Sequence, residues 1–221
     1  MKRVTNKKLS LLLVLCFTIA LALTGCMPKF DASAYIQSCL DANTKGEFEA
    51  YADITGATIE EVEALYNQTI DTEMSYIDGY NVSEEKKAEF RQLFIDMYKN
   101  FKYEVGEATR NDDDSYTVPV TTYKLMIFDG ILEEGETYLT NYAQAEVDAG
   151  RTPTQDQLEA EAMNYMYDAM KTNLSKLEYA EAVTTNITVS PTKNGSQVIY
   201  SADINELQAL IESMVDIENA Q

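Results

Sequence analysis

Phe101-Lys-Tyr-Glu-Val-Gly-Glu-Ala-Thr-Arg-Asn-Asp-Asp-Asp-Ser-Tyr-Thr-Val-Pro-Val120 is where the chain changes its rhythm. Before it, apolar residues return every three or four positions. Within it, Phe101, Tyr103 and Val105 alternate with polar neighbours, as do Tyr116, Val118 and Val120. The polar run Asn111 to Ser115 supplies a turn between them, so the stretch predicts a β-hairpin. Pro119 lies inside the second strand, and proline has no N–H for a ladder bond, so that strand is expected at a sheet edge or locally bulged.

A second hairpin is expected downstream. Val183, Thr185, Ile187 and Val189 alternate, Pro191 to Gly195 ends in an Asn-Gly turn, and Val198 and Tyr200 resume the alternation. Helical spacing fills the rest. Asp31 can cap a helix running to about Asn43, with Tyr35, Ile36, Cys39 and Leu40 on one face and Gly46 past its end. A short helix from Glu47 to Asp53 precedes Thr58-Ile-Glu-Glu61, which reads as a capping box for a helix carrying Val62, Leu65, Tyr66, Ile70, Met74 and Ile77. Ser83 caps the next, with Phe90, Leu93, Phe94, Met97 and Tyr98. Two more run from Gly130 to Ala149 and from Pro153 to about Leu177, and Asp203 opens a last one with Ile204, Leu207, Leu210, Ile211 and Met214.

The order is helices, hairpin, helices, hairpin, helix. The economical solution is α+β: one antiparallel sheet of about four strands built from the two hairpins, helix-rich, with helices over its apolar face. One domain over residues 31–217 with a polar tail at 218–221 is expected; two small domains divided near Gly130 are the alternative.

The N-terminus reads as an address. Lys2, Arg3, Lys7 and Lys8 precede an apolar run from Leu11 to Leu23 with no acid among the first 25 residues. That run is well short of the roughly 20 residues a spanning helix needs. It ends in Leu23-Thr24-Gly25-Cys26, which resembles the bacterial lipobox. The resemblance implies cleavage between Gly25 and Cys26, diacylglycerol on Cys26, and a protein anchored at the extracytoplasmic face of the membrane. Met27 to Lys29 leave only a short linker, so residues 26–30 form a lipidated start close to the bilayer.

Charge and composition narrow the function. Cleavage would remove four basic groups and leave 13 Lys and Arg against 37 Asp and Glu, a mature charge of −24. Nucleic acid, which is recognised through a basic footprint, is excluded as a partner, and no basic patch is available for anionic headgroups. Acid excess serves solubility first, with a basic peptide, a polyamine or a divalent cation as the partners it would suit. There is no histidine, the commonest general base and metal ligand. Cys39 alone survives processing as a thiol, so no intrachain disulfide is expected.

Candidate sites are few. Asp112, Asp113 and Asp114 offer oxygen ligands for calcium, but lack the alternating spacing, central glycine and terminal glutamate of a calcium loop, and read as a solvated hairpin tip. Cys39 sits on an apolar helix face with nothing to activate it. Ser83-Glu-Glu-Lys86 has the letters of a Ser-Lys hydrolase without the companion motifs. Met163, Met166 and Met170, with Tyr165 and Tyr167, could line a groove for a peptide or lipid, or be core. No catalytic residue, cofactor or metal emerges.

Phe30-Asp-Ala-Ser-Ala-Tyr35, Cys39-Leu-Asp-Ala-Asn43 and Gly46-Glu-Phe-Glu49 resemble the start of small clostridial-type Gram-positive lipoproteins of unknown function. The likeness extends through the first hairpin, and its motifs are structural, so no site carries over. The expectation is a non-enzymatic binding or adaptor module for a protein, peptide or small extracellular ligand. A ligand-capturing lipoprotein for a transporter is the alternative, and a cell-envelope hydrolase the third.

Overall fold

The computed structural model describes residues 30–194 and 197–216. The elements are α1 (Ala32–Leu40), α2 (Glu49–Thr55), α3 (Ile59–Ile77), α4 (Glu84–Lys99), β1 (Lys102–Val105), β2 (Thr109–Arg110), β3 (Tyr116–Leu125), α5 (Ile131–Asp148), α6 (Gln155–Lys176), β4 (Tyr179–Asn194), β5 (Gln197–Ala202) and α7 (Ile204–Glu212). The fold is α+β, and both hairpins belong to one antiparallel sheet ordered β1-β3-β4-β5, with β2 also on β3.

Local chemistry explains most of the helix ends. Asp31 accepts from the Ala34 N–H and starts α1. Thr58 and Glu61 close a reciprocal capping box on α3, and Ser83 accepts from the Lys86 N–H at α4. α1 does not stop at Asn43. It widens into a π-helical turn, Asp41–Lys45, closed by Gly46 at φ 70°, a conformation glycine adopts without penalty. That turn lets Asp41 accept from the Tyr103 hydroxyl at 2.5 Å, tying the first helix to the sheet. Burial pushes the Asp41 carboxyl up, but hydrogen bonds from Tyr103, Gln37 and Lys45 outweigh it and hold its pKa low. α6 starts two residues later than the proline suggested, because Thr154 and Gln157 form a second capping box.

β3 carries the hairpin logic. Tyr116, Val118, Val120, Thr122 and Leu125 face inward and are buried, while Thr117, Pro119, Thr121 and Tyr123 face out and are half-buried. The expectation that Pro119 marks a sheet edge is wrong: β3 is central, paired with β1 and β2 on one side and β4 on the other. The irregularity falls on the neighbouring strand instead. The Pro119 carbonyl accepts from the Gly106 N–H at 2.8 Å, so the donor that proline lacks would point the same way, into the break between β1 and β2. A Cβ on Gly106 would lie 2.8 Å from Pro119 Cγ, which is why glycine stands there.

The second hairpin is longer than expected. Pro191 to Asn194 remain strand, paired with β5, and Gly195 lies outside the described residues together with the polar tail. Val183 and Thr185, expected on the buried face, are exposed, because the core beneath β4 begins only at Ile187. Ile204 is likewise 48% exposed; α7 packs through Leu207, Leu210 and Ile211. One continuous apolar cluster joins α1, α3, α4, the inner sheet face, α6 and α7. Each large aliphatic in it contributes about 1.5–3 kcal/mol by leaving water.

Candidate functional site

Five residues past β3, the chain turns at Gly130 into α5, and α6 runs back against it. Between these two helices and the start of β4 lies a groove of about 480 Å³. Five carboxylates line it: Asp129 and Glu134 at the start of α5, Glu161 and Asp168 on α6, and Glu178 just before β4. Lys176 is the cation among its lining residues, and it donates to Asn173 Oδ1 at 3.0 Å. Asn173 in turn donates to the Ile127 and Asp129 carbonyls, both at 3.1 Å, pinning the end of α6 to the loop that enters α5.

The groove has an aromatic wall. Tyr138 of α5 and Tyr165 of α6 stack with centroids 4.9 Å apart and an interplanar angle of 26°. Each hydroxyl donates to a groove carboxylate, Tyr138 to Glu161 and Tyr165 to Glu134. The Glu161 bond raises the Tyr138 pKa, and desolvation followed by Glu134 raises that of Tyr165, so both phenols stay protonated donors. Gly135 makes this possible. A Cβ there would lie 3.1 Å from Tyr165 Cε1, so the bare α5 backbone is the seat of the ring.

The structure divides the α6 segment singled out in the sequence. Met163 and Met170 turn into the core, Tyr167 packs edge-on against Phe90, and Tyr165 alone of the five lines the groove. Helical spacing does not separate these roles, since which face meets α5 depends on the packing angle. Sequence reading missed the five carboxylates, which are scattered over fifty residues and converge only in three dimensions. Their signal, acids at Glu134, Glu161 and Asp168 flanking tyrosines, is indistinguishable from an ordinary wet helix face.

The other candidates fall elsewhere. Asp113 accepts from the Ser115 N–H at 3.1 Å and hydroxyl at 2.6 Å, bonds that lower its pKa, while Asp114 pairs with Arg110. Asp113 and Asp114 are thus turned to separate local partners. No group of three or more His, Cys, Asp or Glu side chains among the described residues could hold a metal ion. Cys39 is buried on α1. Ser83 caps α4 while Lys86 pairs with Glu89 and sits 4.2 Å over the Tyr167 ring, so the two do not form a catalytic pair. Gly25 and Cys26 lie outside the described residues, among which no helix is long and apolar enough to cross a membrane.

Phe30 is the first described residue. It stacks on Tyr200 at 4.1 Å and meets Tyr116 edge-on at 5.7 Å, which fixes the chain entry at the Tyr116 end of β3. The groove lies past the other end, beyond Leu125. Ten residues of strand put the two about 30 Å apart.

No protein-family model matches the chain, and neither does any curated protein. A solved structure does: a Bacillus subtilis protein classed as a lipoprotein (ycdA), with a TM-score of 0.54 at 16% identity over 84% of this chain. The chain spans 56% of that protein's length. At this identity the likeness is one of fold.

Proposed function

We propose that the chain is an extracytoplasmic lipoprotein, held to the membrane by lipid on Cys26, whose groove between α5 and α6 binds a small ligand carrying alkylammonium groups. The observation that carries the reading is the convergence of five carboxylates and a stacked tyrosine pair on one concavity. A cleft lined by one sign of charge focuses its field and concentrates counter-ions, and aromatic faces attract cations. The two hydroxyl-to-carboxylate bonds link the tyrosine wall to Glu161 and Glu134.

The address rests on the charged, apolar and lipobox-like segments of the N-terminus, and the fold likeness to a Bacillus subtilis protein classed as a lipoprotein is consistent with it. Three residues lie between Cys26 and Phe30, so four Cα steps give a reach of at most about 14 Å. Lipid on Cys26 would then enter at the Tyr116 end of β3, with the groove at the far end of that strand, where dissolved ligands arrive.

Calorimetry on the mature chain with Cys26→Ala, titrated with spermidine, a neutral diol of similar length and glutamate, tests the reading. Spermidine should bind, weaken with added salt, and lose at least about tenfold in affinity, 1.4 kcal/mol, in the Glu161→Gln and Tyr165→Ala variants. Equal heats for amine and diol, or amine binding that survives both substitutions, would overturn it.

A further inference from the structure

The sheet leaves half of one edge open. β5 pairs with β4 only from Val189 to Asn194, so among the described residues the first half of β4 has β3 on one side and no strand on the other. Every residue from Ala180 to Asn186 is exposed, Val183 at 60%. The direction of the backbone follows from Thr188. Its N–H donates to Glu206 at 2.6 Å and its carbonyl accepts from the Asp203 N–H at 2.9 Å, both on the side away from β3. Pairing with β3 is regular from Val189 back to Ala182. In a regular strand successive residues turn their N–H and C=O to opposite sides, so Asn186, Thr184 and Ala182 direct theirs to that same open side. Among the described residues no loop or helix backbone bonds to these three.

Soluble proteins blunt exposed edges with lysine, proline or bulges. Ala180-Glu-Ala-Val-Thr-Thr-Asn186 has no lysine and no proline, and its register against β3 is unbroken from Ala182 onward. We propose that this edge is a docking site for an extended, basic segment of a partner protein, added to the sheet as a further strand.

Charge decides between such a partner and a second copy of this chain. Carboxylates bound the edge at both ends: Glu178 and Glu181 at its start, Asp203 and Glu206 beside its finish, the last held on Thr188. Two copies joined antiparallel about a two-fold axis would lay the Glu178 end of each against the Asp203 end of the other. Like charges facing across a strand pair destabilise it, and each chain carries a net −20. A strand with Lys or Arg near both ends meets the opposite sign at each. Val183 midway and Ile204 near the finish, both exposed, offer it apolar contact.

The test uses the mature chain with Cys26→Ala and two synthetic peptides, Lys-Val-Thr-Val-Thr-Val-Lys and its Glu-ended counterpart. Saturation with the basic peptide should slow amide exchange at Ala182, Thr184 and Asn186 by at least about tenfold, with little change at Val183 and Thr185, already bonded to β3. Thr184→Pro, which removes one outward donor, should abolish that binding while melting near the unmodified chain. Should that variant fail to fold, the residue-resolved exchange pattern of the unmodified chain decides. Equal protection by both peptides, protection absent from the three outward amides, or a dimer in sedimentation that dissolves on Thr184→Pro would overturn the proposal.

Discussion

Asp216 shows how much a single side chain can do. It is fully buried, and its carboxylate accepts from the Ile127 N–H at 2.9 Å and the Phe128 N–H at 3.0 Å, the two residues that carry β3 toward α5. Bonds from backbone donors to a buried carboxylate are strong, and removing the acceptor strands both N–H groups. Asp216→Ala should therefore destabilise the protein by about 3 kcal/mol in urea denaturation, whereas Asp112→Ala at the exposed hairpin tip should stay within about 0.5 kcal/mol. Equal midpoints for the two would refute the role given to Asp216. In sequence it is one of 37 acids, two residues past an apolar methionine. Nothing local marks it, because its partners lie 88 and 89 positions away. Glu73 is similarly invisible: it is 1% exposed on α3, and its charge, after burial itself, holds the Tyr98 phenol well above its usual range.

At the scale of elements, the α5–α6 pair rests on a residue that propensity disfavours. A glycine inside a helix costs about 1 kcal/mol relative to alanine, yet Gly135 sits in the first turns of α5 with Tyr165 over it. Gly135→Ala should gain helix propensity and lose the seat of the ring, displacing Tyr165 from Tyr138 and weakening spermidine binding severalfold with little change in melting temperature. Unaltered affinity would show that the tyrosine wall does not contribute. The same scale explains which sequence expectations survived. Caps at Asp31, Thr58, Ser83 and Asp203 were legible because the capping side chain and its N–H are two or three residues apart. The edge expectation for Pro119 failed because a missing donor can be absorbed by a break in the neighbouring strand.

For the whole molecule, Phe30, the first described residue, and the groove lie at opposite ends of β3. With lipid on Cys26 as proposed, a single tether near Phe30 would leave the groove on the far side, and the open edge of β4 begins next to Glu178 on its rim. Cys26→Ala should release the protein to the medium in fractionation, since an acidic surface gives no second hold on anionic lipid. A variant that stayed with the membrane at high salt would overturn the reading of the N-terminus.

What was legible in the residues alone rests mainly on short separations: most of the periodicity, the helix caps, and the α+β class with its two hairpins in one sheet. Tyr116 to Val120 announced their strand because neighbours in sequence are neighbours on a face. The groove, the Asp216 clasp and the open edge depend instead on where α5, α6, α7 and β5 come to rest. A carboxylate reads the same on a solvated helix and in a cleft, and a strand reads the same paired or bare. The packing of distant elements tells them apart, through the burial and the bonding that it alone creates.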